Sequence, residues 1–135
     1  MGKKTDFCAL AESKGVEVVS FRLPLVESMS TEIDGQCYIA MDNSRHHTEA
    51  EEQACIGHEL GHCLYGGFYT RDTPYDVVER HEVRADRWYI QRAIPRKTLF
   101  RLLGEGYDAW EIAEQLNTTE EYVRRAYYYY KDTTF

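Results

Sequence analysis

The chain lacks a long apolar run, an excess of basic charge and a Cys-x-x-Cys pair, and each absence removes a class of protein. No stretch approaches the roughly 20 consecutive apolar residues needed to cross a bilayer. Met1-Gly2-Lys3-Lys4-Thr5-Asp6 leads into no hydrophobic segment of the secretory kind. It also misses a myristoylation signal, because Asp6 stands where Ser or Thr is required. A cytoplasmic setting without membrane attachment is the expectation. The formal net charge of −7 argues against general affinity for nucleic acid or anionic membrane and leaves only a local basic face as a route to either. Without Cys-x-x-Cys, the four cysteines offer no paired-thiolate zinc site. Cys55 and Cys63 fall on one helical segment, about 12 Å apart along its axis, and cannot bridge to each other. The cysteines are expected to be small core residues, with Cys55 and Cys63 as alternative metal ligands because they flank His58 and His62.

What the chain does contain is His58-Glu59-Leu60-Gly61-His62. Histidines four residues apart lie on one helix face, roughly 6 Å apart, so both imidazoles can hold one zinc ion. Glu59 follows the first histidine, where its carboxylate reaches a water rather than the metal. The pattern points to peptide hydrolysis by zinc-activated water, with surface histidines or a structural metal pair as the alternatives. Thr48 and Glu51 form a capping box, Ala54, Ile56, Leu60 and Leu64 recur at helical spacing, and Gly66-Gly67 offers a stop. Gly61 inside this helix implies close approach of a neighbouring strand or of substrate.

Zinc in a catalytic site takes a third protein ligand. Thr73, Pro74 and Asp76 mark the start of a second helix, and Pro95 closes it. Glu82 and Asp86 share one of its faces, so one carboxylate can bind metal while the other accepts the outward N–H of a liganding histidine. His81 points roughly 100° away from Glu82. His46 and His47 precede the Thr48 cap and read as exposed loop residues.

His58-Glu59-Leu60-Gly61-His62 followed by Glu82-Val83-Arg84-Ala85-Asp86 resembles the gluzincin arrangement and, within it, the ImmA/IrrE family of small intracellular metallopeptidases. The resemblance implies that His58, His62 and Glu82 bind Zn(2+), that Glu59 is the general base and that Asp86 orients His58. It runs over residues 16–99. It departs from the family at Trp88-Tyr89-Ile90-Gln91-Arg92-Ala93-Ile94-Pro95, where members often carry a more apolar run. It further implies a zinc-dependent endopeptidase acting on a specific protein, a helix-turn-helix repressor of a bacterial mobile element or phage. In such enzymes a sheet edge beside the active helix receives the substrate backbone, and the strand around Tyr38 is expected to be that edge. The donor to the reaction's oxyanion stays unassigned among Tyr65, Tyr69 and Tyr75, in a chain of eleven tyrosines.

Elsewhere the pattern predicts a helix over 6–14 ended by Gly15, a strand over 16–21 stopped before Pro24, and a hairpin turning at Asp34-Gly35. Helices follow over 96–103, from Asp108 with Glu111, and from Thr118 with Glu121. The whole reads as one α+β domain over 1–135: a sheet of about three strands packed on the His58 helix, the Glu82 helix crossing behind it, and a helical part over 95–135. At 135 residues and 43% apolar content the chain has room for a modest core. The last two helices resemble a helix-turn-helix, which raises a DNA-binding regulator as a rival function. Six Lys/Arg against seven Asp/Glu over 95–135, with Glu120-Glu121 opening the would-be recognition helix, weigh against it. The other rival is a catalytically silent zinc protein that acts by binding. The exposed tyrosines over 127–130 are expected to help dock a partner, and no direct contact with nucleic acid is expected.

Overall fold

Asp6 opens the first helix by accepting a hydrogen bond from the Ala9 N–H at 3.2 Å, and Gly15, at φ 73°, turns the chain out of it. This helix, α1 (Phe7–Ser13), is followed by β1 (Glu17–Ser20), β2 (Ser28–Ile33) and β3 (Gln36–Met41). The long helices α2 (Glu49–Tyr65) and α3 (Tyr75–Ala93) come next, then α4 (Arg96–Gly104), α5 (Ala109–Leu116) and α6 (Glu120–Asp132). The structure, a computed structural model, describes residues 5–45, 48–65 and 73–132. His46, His47, Gly66, Gly67 and Tyr69, all singled out above, lie outside the described residues.

The fold is α+β, with a three-stranded mixed sheet in the order β1-β3-β2. β1 runs parallel to β3, and β2 runs antiparallel to it across a turn in which Asp34 and Gly35 both have positive φ, 51° and 81°. The strand around Tyr38 is therefore central, not the expected edge. The reason lies in composition: Cys37-Tyr38-Ile39-Ala40-Met41 is the most apolar of the three strands and gains most from pairing on both sides. Ser28-Met29-Ser30-Thr31-Glu32-Ile33 is mostly polar, with Met29 and Ile33 its two apolar residues, and tolerates an edge.

α2 packs on β2 and β3 with its apolar stripe, burying Ile56 and Leu60 against Ile39 and Met41. Complete burial of a side chain such as Leu60 contributes about 1.5–3 kcal/mol. Reciprocal bonds set the helix start: the Glu51 N–H donates to Thr48 Oγ1 at 3.1 Å, and the Thr48 N–H to Glu51 Oε1 at 3.0 Å. α3 lies along the other side of α2. The neighbour of Gly61 is thus a helix rather than a strand or substrate, since a Cβ there would meet the Ala85 backbone at 3.0 Å. α1 seals one end, where Phe7 packs on Trp88 and Tyr89 and its N–H donates to Gln53 Oε1 at 2.7 Å.

Two cap expectations shift by a residue. The N-cap position of α3 is Pro74, with no side-chain cap bond, rather than Thr73. At α6 the Tyr122 N–H donates to Thr119 Oγ1, while Thr118 is buried and its hydroxyl bonds Tyr89 Oη at 2.6 Å. The cysteine expectation also needs correction. Cys37 of β3 and Cys63 of α2 form a disulfide, 26 residues apart in sequence, which ties α2 to the central strand; Cys8 and Cys55 take no part in it. α4 to α6 join the same buried cluster as α1, β3, α2 and α3 through Leu99, Ile112, Leu116, Val123, Ala126 and Tyr130.

Candidate metal centre

The 3.6-residue repeat of α2 puts His58 and His62 on the face turned to α3, and one turn of α3 puts Glu82 and Asp86 on the face turned back. His62 Nε2 lies 2.7 Å from Glu82 Oε2, and His58 Nε2 lies 3.0 Å from Glu82 Oε1. The ligating atoms of His58, His62 and Glu82 all fall within 4.8 Å of one another. Donors 2.0–2.2 Å from a tetrahedral zinc sit about 3.4 Å apart, so small side-chain rotations bring this set onto one ion. Two imidazoles and a carboxylate also suit zinc chemically. The cluster is positioned to bind a divalent metal ion and is consistent with a gluzincin-like zinc site.

His58 Nδ1 faces Asp86 Oδ1 at 2.8 Å, which leaves Nε2 on the metal side. Burial works against charge on His58, but the bonds to Asp86 and Glu82 outweigh it and push its pKa up to about 10. Asp86 shows the reverse balance: burial raises its pKa, yet the bonds from His58 and Tyr122 and the nearby Arg125 hold it below the ordinary carboxylate value. The two carboxylates thus make a place that favours positive charge.

Glu59 points from α2 toward the sheet edge rather than toward α3. It is 8% exposed, and each carboxylate oxygen accepts one hydroxyl bond, Oε2 from Ser28 at 2.9 Å and Oε1 from Ser30 at 2.8 Å. Beside it a cleft of about 580 Å3 opens between β2, α2, α3 and α6, lined by Ser28, Cys55, His58, Glu82, Tyr122 and Arg125 among others.

Family models, curated proteins and solved structures give no match to this chain. The local geometry therefore carries the functional reading.

The other candidates fall away from the cluster. Neither His81 nor Cys63 is among the three residues it gathers, and Cys63 is turned to Cys37 of β3. Cys55 lines the cleft, but burial pushes its thiol up to about 12, so the thiolate that would bind metal is disfavoured. Tyr65 and Tyr75 are more than half exposed, and neither lines this cleft. Four residues that sequence reasoning missed do reach the site: Ser28 and Ser30 on Glu59, and Tyr122 and Arg125 on Asp86. They stand 29 to 39 residues from their partners. The one available signal was the alternation Ser28-Met29-Ser30, which puts both hydroxyls on the face opposite Met29.

Proposed function

We propose that this protein is a zinc-dependent endopeptidase of the ImmA/IrrE type that cuts one specific intracellular protein, a helix-turn-helix repressor of a bacterial mobile element or phage. The observation that carries the enzymatic part is the convergence of His58, His62 and Glu82, with His58 and Glu82 at the wall of an open cleft and the buried Glu59 next to His58 in sequence. His58, His62 and Glu82 hold the metal, and Asp86 fixes the His58 ring. A zinc ion there supplies a Lewis acid that polarises a carbonyl and lowers the pKa of water. Glu59 accepts the proton of the attacking water and returns it to the leaving amine. Ser28 and Ser30 keep its carboxylate at the sheet edge, where an extended substrate adds to β2 as a further strand.

The substrate class rests on the resemblance of the two motif helices and on charge. A net charge of −7 favours a basic partner such as a DNA-binding protein. A cytoplasmic setting follows from that substrate. There the Cys37–Cys63 pair would stand reduced, as two thiols packed between β3 and α2.

The test incubates the zinc-loaded protein and its Glu59→Gln form with the repressor-like protein encoded beside its gene, with fragments read by mass spectrometry. The expected outcome is a discrete fragment from the parent, slowed about a hundred- to ten-thousandfold by Glu59→Gln, with zinc content unchanged. His58→Ala and Glu82→Ala should lose both metal and cleavage. Tight binding without cleavage by either form would favour a silent antirepressor. Specific DNA binding without either would favour the helix-turn-helix reading.

A further inference from the structure

Two side chains of α6 converge on Asp86 of α3 at the wall of the cleft. The Tyr122 hydroxyl donates to Asp86 Oδ1 at 2.7 Å, the same oxygen that faces His58 Nδ1, and Arg125 Nη1 donates to Asp86 Oδ2 at 3.1 Å. The guanidinium lies 5.0 Å above the Tyr122 ring and is braced by Glu121, one turn back on the same helix. The Tyr122 ring in turn packs edge-on against the fully buried Tyr89, with centroids 4.7 Å apart. Both oxygens of Asp86 thereby accept a hydrogen bond from α6, while Oδ1 also faces His58. We infer that Tyr122 and Arg125 are positioning residues of the metal centre, acting through Asp86 to set the ring of His58, so that the C-terminal helix completes the site built by α2 and α3.

Physical chemistry gives this contact a consequence that simple packing would lack. A histidine ligand whose outward N–H is tied to a carboxylate has its tautomer and ring plane fixed before metal arrives, and loss of such a tie weakens metal binding by about 10–100-fold. Removal of the two groups that hold the carboxylate should give the lower part of that range. Tyr122→Phe deletes one hydroxyl and keeps the ring against Tyr89. Arg125→Met keeps much of the side-chain volume without the donors.

This inference rests on the metal-site reading above, and two readouts separate their failures. Zinc affinity is measured by competition with a chromophoric chelator for the parent, the Tyr122→Phe/Arg125→Met double variant, Arg125→Lys and His58→Ala. Nitrogen-15 NMR of the imidazoles in chelator-treated protein reports the His58 Nδ1 proton without any metal. The expected result is a roughly tenfold loss of zinc affinity in the double variant, partial rescue in Arg125→Lys, and a His58 Nδ1 proton that is protected in the parent and exchange-broadened in the double variant, with melting temperatures within a few degrees. A double variant that keeps both the parent affinity and the protected proton would overturn the inference and leave the metal site standing. A parent that binds zinc no better than His58→Ala would overturn the metal site, and the proton signal would still decide whether α6 positions His58.

Discussion

Gly61 sets the separation of the two helices that bear the candidate ligands. A Cβ added there would lie 3.0 Å from Ala85 Cα and 3.1 Å from its carbonyl oxygen, backbone atoms that cannot rotate aside. Gly61→Ala gains about 1 kcal/mol of helix propensity, but overpacking of this kind costs about 1–3 kcal/mol. The expected outcome is a small net loss of stability together with α3 displaced by a few tenths of an ångström, and hence weaker zinc binding although no donor is touched. Calorimetric titration of the variant checks this, and parent-like affinity would mean that the spacing is slack. At this scale the sequence was informative wherever helical periodicity links residues one turn apart: His58 with His62, and Glu82 with Asp86. It was silent on Tyr122 and Arg125, and for Ser28 and Ser30 it offered a shared strand face but no partner. A hydrogen bond spanning about thirty residues leaves no local pattern, and serines, tyrosines and arginines are common in surface positions.

Among the elements, β2 is the one whose role differs most from its sequence signature. Its Ser28 and Ser30 hydroxyls each donate to one oxygen of the buried Glu59 carboxylate. The Ser28→Ala/Ser30→Ala variant should bind zinc as the parent does but lose about tenfold in kcat, because Glu59 is no longer held in place. A drop in zinc affinity instead would tie these serines to the candidate ligands rather than to Glu59. The loop after β3 offers a second test. Asp42 accepts from the Leu23 N–H, from the Ser44 N–H and hydroxyl, and from Arg45, and the Ser44 hydroxyl foremost, with Leu23 next, lowers its pKa to about 2. A depressed folded-state pKa means that its contribution is present above the ordinary value near 3.8 and is lost as the pH falls through about 2. Asp42→Asn should therefore flatten the acid limb of stability between about pH 4 and 2, as read by urea midpoints across that range. The hairpin turn and the starts of α2 and α5 were readable because Asp-Gly, Thr-x-x-Glu and Asp-x-x-Glu fix backbone geometry locally. Strand order was not. It depends on which strand gains most from two neighbours, a comparison across the whole sheet.

For the molecule as a whole, one buried cluster runs from Phe7 of α1 to Tyr130 of α6, and the Tyr130 hydroxyl donates to the Ile94 carbonyl at 2.8 Å. The tyrosine run is divided by helical spacing: Tyr130 is buried, while Tyr128 stays 60% exposed. That split leaves fewer side chains for docking than the run implies. Continuity of the core predicts a single cooperative thermal transition, with calorimetric and van't Hoff enthalpies equal; two transitions would mean that residues 95–135 fold separately. Reduction of Cys37–Cys63, which closes a 26-residue separation, should lower stability by roughly 3 kcal/mol without dividing that transition. Strand order also carries a consequence in time. β3 is bonded on both sides and lies beneath α2, so the amide protons around Ile39 should outlast all others in the sheet when the protein is moved into heavy water, persisting until the chain opens globally. Those of β2 that point away from β3 should vanish early, and any peptide that adds to this edge would announce itself by lengthening their lifetimes, residue by residue, along the line where it binds.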